Sequence, residues 1–105
     1  MAAKKTKATK KKKSIDSSKW TFLTNHSHVL ICLSKNGELR IRDLAPMVGI
    51  TERTVQLILS DLEADGFLKI SKEGRRNRYQ VVRHLALRHS VESHRTVNDL
   101  LKLLN

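Results

Sequence analysis

The sequence predicts a mainly α-helical domain with one small antiparallel β-hairpin, which is an α+β fold class. Apolar residues recur at helical spacing in several stretches of the chain. Two β-prone runs after position 66 flank the polar, glycine-containing turn Lys72-Glu73-Gly74-Arg75. With 105 residues, the chain has room for one domain and one modest hydrophobic core.

The central stretch, from Ile41 to Ser60, has the pattern of two helices joined by a tight turn. Three apolar residues share one face of the first helix: Leu44, Ala45 and Val48. We expect this helix to begin at an Asp43 N-cap, which puts Pro46 in the first turn, where its missing N–H breaks no intrahelical bond; an earlier start would instead put Pro46 at a costly interior position. Gly49 then provides the left-handed backbone of a sharp stop. The stretch therefore predicts a helix-turn-helix.

The second helix of this motif is predicted over residues 51–65, with Thr51 as its N-cap. Four apolar residues occupy one face at helical spacing: Val55, Ile58, Leu59 and Leu62. The opposite face carries Glu52, Arg53, Gln56, Leu57 and Ser60. One face is therefore suited to packing, and the other, with an exposed leucine among polar residues, is suited to contacting a partner.

The residues before the motif predict a further helix and a short strand. The helix is expected to run from an Asn25 N-cap to a stop at Gly37. Alternating polar and apolar residues from Glu38 to Ile41 predict the strand. The large apolar residues that precede the helix are expected to fold over the edge of the core: Trp20, Phe22 and Leu23. Residues 1–18 contain almost no large apolar side chains, and we expect them to form a disordered basic arm.

The hairpin and the C-terminal region complete the predicted organisation. The hairpin is expected to end a domain that comprises residues 19–83, with four side chains facing inward: Leu68, Ile70, Tyr79 and Val81. Residues 84–105 are expected to form a linker and a last helix over residues 92–104. A stripe on this helix comprises Val97, Leu100, Leu101 and Leu104. The stripe either packs on its own domain or pairs with a second copy, and we expect a homodimer.

The net charge of +11 is concentrated in two segments. Residues 1–18 hold seven lysines and Asp16, a net +6, and residues 69–83 hold six lysines and arginines with Glu73, a net +5. Such a concentration of positive charge indicates a polyanionic partner. We expect the arm to add salt-sensitive affinity for phosphates, the alternative being a solubilising tail.

Specific residues of the motif resemble a known family. Ala45, Gly49 four residues later and Val55 six residues after that match the helix-turn-helix signature of bacterial DNA-binding regulators. Residues 61–81 resemble the wing of MarR-type transcription factors, and the resemblance covers roughly residues 20–82. It implies a winged helix-turn-helix, in which the short strand before the motif joins the hairpin as its third member.

The resemblance also implies a contact with double-stranded DNA, with the helix over residues 51–65 in the major groove. The implied contacts on this helix are Thr51, Glu52, Arg53, Gln56, Leu57 and Ser60. The wing, residues 67–82, is expected to contact the backbone or the minor groove through Lys72, Arg75, Arg76 and Arg78. The implied function is a transcriptional regulator. The alternative is a winged-helix interaction module that binds RNA or a protein partner.

Other classes of site are less well supported by the sequence. It contains no Gly-rich phosphate loop and no nucleophile elbow, so we expect no enzyme, no catalytic residues and no cofactor. His26 and His28 are two residues apart, a spacing that points helix side chains in different directions, so we expect no metal site. Cys32 is the only cysteine; we expect a small core residue in a cytoplasmic protein.

Two further classes of partner are disfavoured. No apolar run approaches the ~20 residues that span a bilayer, so we expect no membrane contact. RNA binding by base stacking is disfavoured, because most of the four aromatic side chains are expected to be needed in the core.

Overall fold

A computed structural model describes residues 19–105, so the arm predicted over residues 1–18 lies outside the described residues. In chain order, the elements are α1 (Asn25–Lys35), α2 (Ile41–Val48), α3 (Glu52–Ala64), β1 (Leu68–Glu73), β2 (Arg76–Val81) and α4 (Val97–Leu104). The two strands form one antiparallel hairpin. Three helices followed by a hairpin are the arrangement of a winged helix-turn-helix, and they confirm the predicted α+β class. Within residues 19–105, no helix is long and apolar enough to cross a membrane.

The turn between α2 and α3 is tight because Gly49 adopts a left-handed conformation, with a φ of 87°. The N–H groups of Gly49 and Ile50 both donate to the Ala45 carbonyl, at 2.8 and 3.0 Å. Thr51 then caps α3 as predicted, since its hydroxyl accepts a hydrogen bond from the Thr54 N–H at 3.1 Å. These contacts fix the angle at which α3 leaves the body of the domain.

One hydrophobic core joins all four helices to the hairpin. Its largest fully buried side chains are Leu44, Leu68, Leu101, Val29, Val55 and Val97. The four apolar residues predicted for the inner face of α3 are all buried. On α4, Val97 and Leu101 pack on their own domain, whereas Leu103 and Leu104 remain exposed. The inner face of α4 therefore belongs to the same core as the helix-turn-helix.

The end of α3 turns the chain directly into the hairpin. Gly66 has a φ of 85°, its N–H donates to the Glu63 carbonyl, and the Phe67 N–H donates to the Leu62 carbonyl at 2.9 Å. The strands pair Leu68 with Val81 and Ile70 with Tyr79, so the residues predicted to face inward do share one face. The connecting loop comprises only positions 74 and 75, which is shorter than the predicted four-residue turn.

The segment between β2 and α4 folds back on itself. The Leu87 N–H donates to the Arg95 carbonyl at 2.8 Å, and the Val97 N–H donates to the Leu85 carbonyl at 2.9 Å. A capping box between Thr96 and Asp99 then starts α4. The prediction that the last helix begins at position 92 is wrong, because the preceding residues bond to one another in turns and the cap lies at position 96.

The α1 helix begins one residue earlier than predicted. Thr24 is its N-cap, because the Thr24 hydroxyl accepts a hydrogen bond from the Ser27 N–H at 3.2 Å. Asn25, the predicted N-cap, is the first helical residue, and its side-chain oxygen lies 3.2 Å from the His28 ring. The helix ends at Lys35, close to the predicted stop.

The α2 helix also begins earlier than predicted, so Asp43 is its third residue and not its N-cap. The Asp43 carboxylate accepts hydrogen bonds from the Arg40 side chain at 3.1 Å and from the Arg40 N–H at 2.9 Å, and these bonds lower the pKa of Asp43. Pro46 consequently lies inside the helix, where it cannot donate to the Arg42 carbonyl. The prediction that Pro46 costs no intrahelical bond is wrong, because the contacts of Asp43 with Arg40 stabilise the earlier start.

Residues 38–41 do not form the predicted third strand. Within the described chain, one backbone hydrogen bond joins the start of this stretch to β2, from the Tyr79 N–H to the Gly37 carbonyl at 2.9 Å. A β carbon at Gly37 would clash with the Tyr79 carbonyl oxygen, so glycine is needed here for close approach. The strand is absent because the capping contact between Arg40 and Asp43 starts α2 within the stretch.

The aromatic residues before α1 do not fold over the core as predicted. Trp20 is 77% exposed and Phe22 is 91% exposed, and their rings meet edge to face with centroids 4.9 Å apart. Leu23 is half-buried. The prediction is wrong for the two aromatic residues, because α4 packs against α1 and supplies Val97 and Leu101 to the core.

Candidate nucleic-acid interface

All six residues predicted as contacts on α3 and at its cap are exposed to solvent. They lie in adjacent rows, since residues three and four apart are neighbours on a helix surface. Arg53, Leu57 and Ser60 form one row, and Glu52, Gln56 and Ser60 form the next. Leu57 is 56% exposed, although it is a large apolar residue. The outward face of α3 is therefore a continuous polar surface with one apolar side chain near its middle.

The start of α3 suits a phosphate through its backbone and not through the Thr51 hydroxyl. That hydroxyl accepts from the Thr54 N–H and donates to the Thr54 hydroxyl at 2.9 Å, so the one hydrogen that it could donate to a phosphate is already used. The N–H groups of Glu52 and Arg53 have no intrahelical acceptor because of their position in the first turn. They point outward at the positive end of the helix dipole, where an anion is stabilised.

The opposite end of α3 is acidic. Asp61, Glu63 and Asp65 are exposed there; Asp61 is hydrogen-bonded to the His26 ring at 2.9 Å, and Asp65 forms an ion pair with Arg88 at 2.6 Å. Carboxylates repel a phosphate backbone, so this end of the helix is poorly suited to DNA. The part of α3 that suits DNA is therefore its first two turns, and Ser60 lies at the edge of that part.

Strand alternation divides the basic side chains of the wing between two faces. Leu68 and Ile70 face the core, so Lys69 on β1 shares the outer face with Arg76 and Arg78 on β2. Lys72 lies on the other face, toward the tip of the hairpin. Arg75 occupies the two-residue loop together with Gly74, whose φ is 68°. The four predicted wing contacts therefore point in three different directions.

Two of the wing arginines are engaged within the protein. The Arg78 guanidinium lies 2.9 Å from the Glu38 carboxylate and 3.2 Å from the Glu73 carboxylate. The Arg76 guanidinium donates to the Glu38 backbone carbonyl. Lys72 and Arg75 are exposed, and within residues 19–105 neither forms an ion pair. The tip of the wing therefore carries two positive charges that no carboxylate of the described chain pairs with.

Sequence reasoning missed two residues of this surface. Glu38 was assigned to a strand, and no local pattern indicates that its carboxylate pairs with a residue 40 positions later. Lys69 was counted in the charge of the wing but not among its contacts. The alternation of Leu68 and Ile70 would have placed Lys69 on the outer face.

The histidines and the cysteine have separate surroundings. His26 pairs with Asp61, while the ring of His28 lies 3.2 Å from the Asn25 side chain. Among residues 19–105, no group of three or more His, Cys, Asp and Glu side chains is arranged to hold a metal ion. Cys32 is half-buried against the core; burial raises the pKa of its thiol, and Lys35 acts in the opposite direction.

The chain was compared with known proteins. Residues 23–69 match the family of winged helix-turn-helix DNA-binding domains. The match includes α1, α2, α3 and the first two residues of β1, so it stops before the basic part of the wing. No curated protein gives a significant match. The family match supports DNA binding by this region of the chain.

Proposed function

From the match of residues 23–69 to winged helix-turn-helix DNA-binding domains, we propose that the protein is a transcriptional regulator that binds double-stranded DNA. In this proposal, α3 lies in the major groove and the wing contacts the backbone or the minor groove. The observation that carries the proposal is the outward face of α3, which is exposed and polar over its first two turns. The acidic far end of the same helix limits the contact to those turns.

The proposed base contacts lie on the two exposed rows of α3. Arg53 presents a planar pair of donors suited to guanine, and Gln56 presents a donor and an acceptor suited to adenine. Leu57 is placed to meet a thymine methyl group, and Glu52 to accept from a cytosine amino group. Thr51 and Ser60, at the two ends of this surface, are proposed to lie near the DNA backbone.

The wing is proposed to act mainly through charge. Arg75 and Lys72 have no ion pair within the described chain, so they are free to meet phosphates. In the protein without DNA, Arg76 and Arg78 are held by Glu38. Both are exposed and lie near the tip of the wing, so they are proposed to contact the DNA beside it. The arm over residues 1–18 adds seven lysines, which are proposed to increase affinity for any duplex.

The remaining parts of the proposal concern the kind of regulator. The resemblance to MarR-type factors suggests a transcriptional regulator, either a repressor or an activator, that has no catalytic activity. It also suggests a homodimer that binds two half-sites of a symmetric operator. The cytoplasmic location predicted from the single cysteine stays a prediction.

The proposal is tested by comparing nucleic acids of different form with the full-length chain. Duplexes enriched from a random library are compared by fluorescence anisotropy with single strands of the same sequence and with RNA hairpins of equal length. We expect the enriched duplex to bind at least about tenfold more tightly than either competitor at physiological salt. Tighter binding to the RNA hairpins would contradict the proposal and favour an RNA-binding interaction module.

A further inference from the structure

A partly apolar groove lies on the side of the domain away from the start of α3. It is bounded by the start of α1, the acidic end of α3 and the segment that leads into α4, and its volume is about 420 Å³. Its apolar lining comprises Leu30, Leu62, Phe67, Leu87, Val97 and Leu100. A neighbouring hollow shares Leu87 and Leu100 and extends the apolar surface to Leu103, which is 79% exposed. The groove and the hollow together form an apolar strip that the apolar side chains of a partner can cover.

The rim of this groove is acidic. Asp61, Asp65 and Glu92 line it, and they outnumber its one arginine, Arg88. His26 also lies on the rim, paired with Asp61. A net negative rim repels a nucleic acid and attracts a basic segment. The occupant is therefore expected to combine a positive charge with large apolar side chains.

The chain itself contains a segment of that chemistry, over residues 19–22. Lys19 supplies a positive charge, and the exposed rings of Trp20 and Phe22 follow it. The seven lysines of residues 1–18 precede the segment in the sequence. Two large aromatic side chains at 77% and 91% exposure are costly in water unless a partner covers them.

We propose that two copies of this chain form a symmetric dimer in which residues 19–22 of each copy occupy the groove of the other. Each copy offers both the aromatic segment and the groove, which is the self-complementarity that a twofold interface requires. The aromatic rings cover the apolar lining, and Lys19 meets the acidic rim. This inference rests on the dimer in the proposed function and does not depend on DNA binding.

Most of the area of the proposed interface comes from the aromatic segment. A Trp or a Phe side chain buries ~150–250 Å² when it is covered. Two such pairs bury roughly 600–1,000 Å² of their own surface, and the groove surface that they cover brings the total toward the lower end of the range for specific interfaces, about 1,200 Å². The apolar hollow beside Leu103 lies next to the groove and enlarges the available surface.

Residues 19–22 could also occupy the groove of their own chain, in competition with the same residues of a second copy. Thr24 lines the groove and follows Phe22 by two residues, so the segment begins close to its own groove. Occupation by the same chain is independent of protein concentration, whereas occupation by a second copy is not. This difference gives the first experiment.

Trp20 is the only tryptophan, so its fluorescence reports directly on the segment. We expect its emission to shift to shorter wavelength as the protein concentration rises, in parallel with dimer formation measured by sedimentation equilibrium. Emission that does not change with concentration would overturn the proposal. A shift that appears only on addition of a single-stranded oligonucleotide would also overturn it, since the rings would then be stacking on bases.

Two variants locate the interface. Phe22→Ala is expected to weaken the dimer about 30-fold, because a buried aromatic side chain is a typical hot spot. The matched control is Met47→Ala, which truncates another exposed apolar side chain, on α2, and is expected to leave the dimer unchanged. A dimer of full affinity in both Phe22→Ala and Trp20→Ala would overturn the proposal. Loss of duplex binding by both monomeric and dimeric forms would instead count against the proposed function.

A charge exchange tests the direction of docking. Lys19→Glu is expected to weaken the dimer a few-fold at low salt, because it places a carboxylate beside the acidic rim. Adding Glu92→Lys to the same chain is expected to restore the dimer. Each groove then presents a positive charge to the negative charge introduced at position 19. A double variant that is no stronger than the single variant would overturn this docking direction.

Discussion

The outward face of α3 and the wing are both exposed and were both predicted to contact DNA, but they differ in what their side chains already bond. On α3, Arg53 and Gln56 project from a helix whose inner face is buried. On the wing, Arg76 and Arg78 are bonded to Glu38, which lies between α1 and α2. The helix thus presents free side chains from a rigid support, whereas two arginines of the wing are held by Glu38, and the charge of one of them, Arg78, is compensated by carboxylates.

The excess of positive charge and the side chains proposed to contact bases therefore lie on different elements of the molecule. The first two turns of α3 carry little net charge, because Glu52 and Arg53 oppose each other. The wing carries the excess of positive charge but holds part of it in place through Glu38. We therefore expect α3 to determine which sequence is bound and the tip of the wing to determine how strongly binding depends on salt.

The largest expected effect concerns the attachment of the wing. Gly37→Ala places a β carbon against the Tyr79 backbone carbonyl, so β2 must move away from α1. We expect this variant to lower the free energy of unfolding by about 3 kcal/mol in urea titrations. The control is Gly74→Ala at the open tip, where only the left-handed backbone is strained and about 1 kcal/mol is expected. Equal losses in the two variants would show that the contact with Tyr79 does not hold the wing.

The second effect concerns sequence preference. Arg53→Ala is expected to weaken binding to a preferred duplex by about 2 kcal/mol and binding to a random duplex by much less, because it removes a base contact. Arg95→Ala, an exposed arginine outside this face, serves as the control and is expected to affect both duplexes slightly and equally. Equal losses on both duplexes for Arg53→Ala would remove it from base readout. Anisotropy titrations at one salt concentration suffice for this comparison.

The third effect compares the tip of the wing with its tethered strand. Arg75→Ala is expected to reduce the slope of log affinity against log salt by about one unit, since its charge has no partner in the described chain. Arg78→Ala is expected to reduce the slope by less, because Glu38 and Glu73 already compensate its charge. A larger change for Arg78→Ala would mean that DNA displaces these carboxylates completely.

The smallest effect concerns acid stability. Hydrogen bonds from Arg40 to Asp43 and from Thr96 to Asp99 lower the pKa of both carboxyl groups below the ordinary value of about 3.9. A lowered pKa adds stability that is complete above the ordinary value and is lost as the pH falls through the lowered one. We expect the melting temperature of the Asp43→Asn, Asp99→Asn double variant to fall less between pH 7 and pH 3 than that of the parent chain. An identical fall in the two proteins would contradict the role of these caps.

The features that the sequence predicted correctly are local and periodic. The apolar face of α3, its Thr51 cap and the left-handed Gly49 depend on residues within a few positions of one another. The incorrect predictions concern residues that suit two different local structures, or residues whose partners are far away in the sequence. Asp43 is suited both to an N-cap and to a third helical position, and only its contact with Arg40 decides between them.

The positions of distant partners are even less accessible to sequence reasoning. The contact of Glu38 with Arg78 joins two exposed polar residues, and neither lies in a pattern that requires a partner. The exposure of Trp20 and Phe22 follows from the packing of α4 on α1, which no spacing near those residues reveals.

The most direct measurement compares duplex DNA from upstream of the protein's own gene with a scrambled duplex of equal composition, each at two salt concentrations, by fluorescence anisotropy. If α3 reads base sequence, the preference for the upstream duplex persists at the higher salt while both affinities fall with similar slopes. If the two duplexes bind equally and their affinities fall together as salt rises, only the arm and the wing contact DNA. That result would contradict sequence readout by α3.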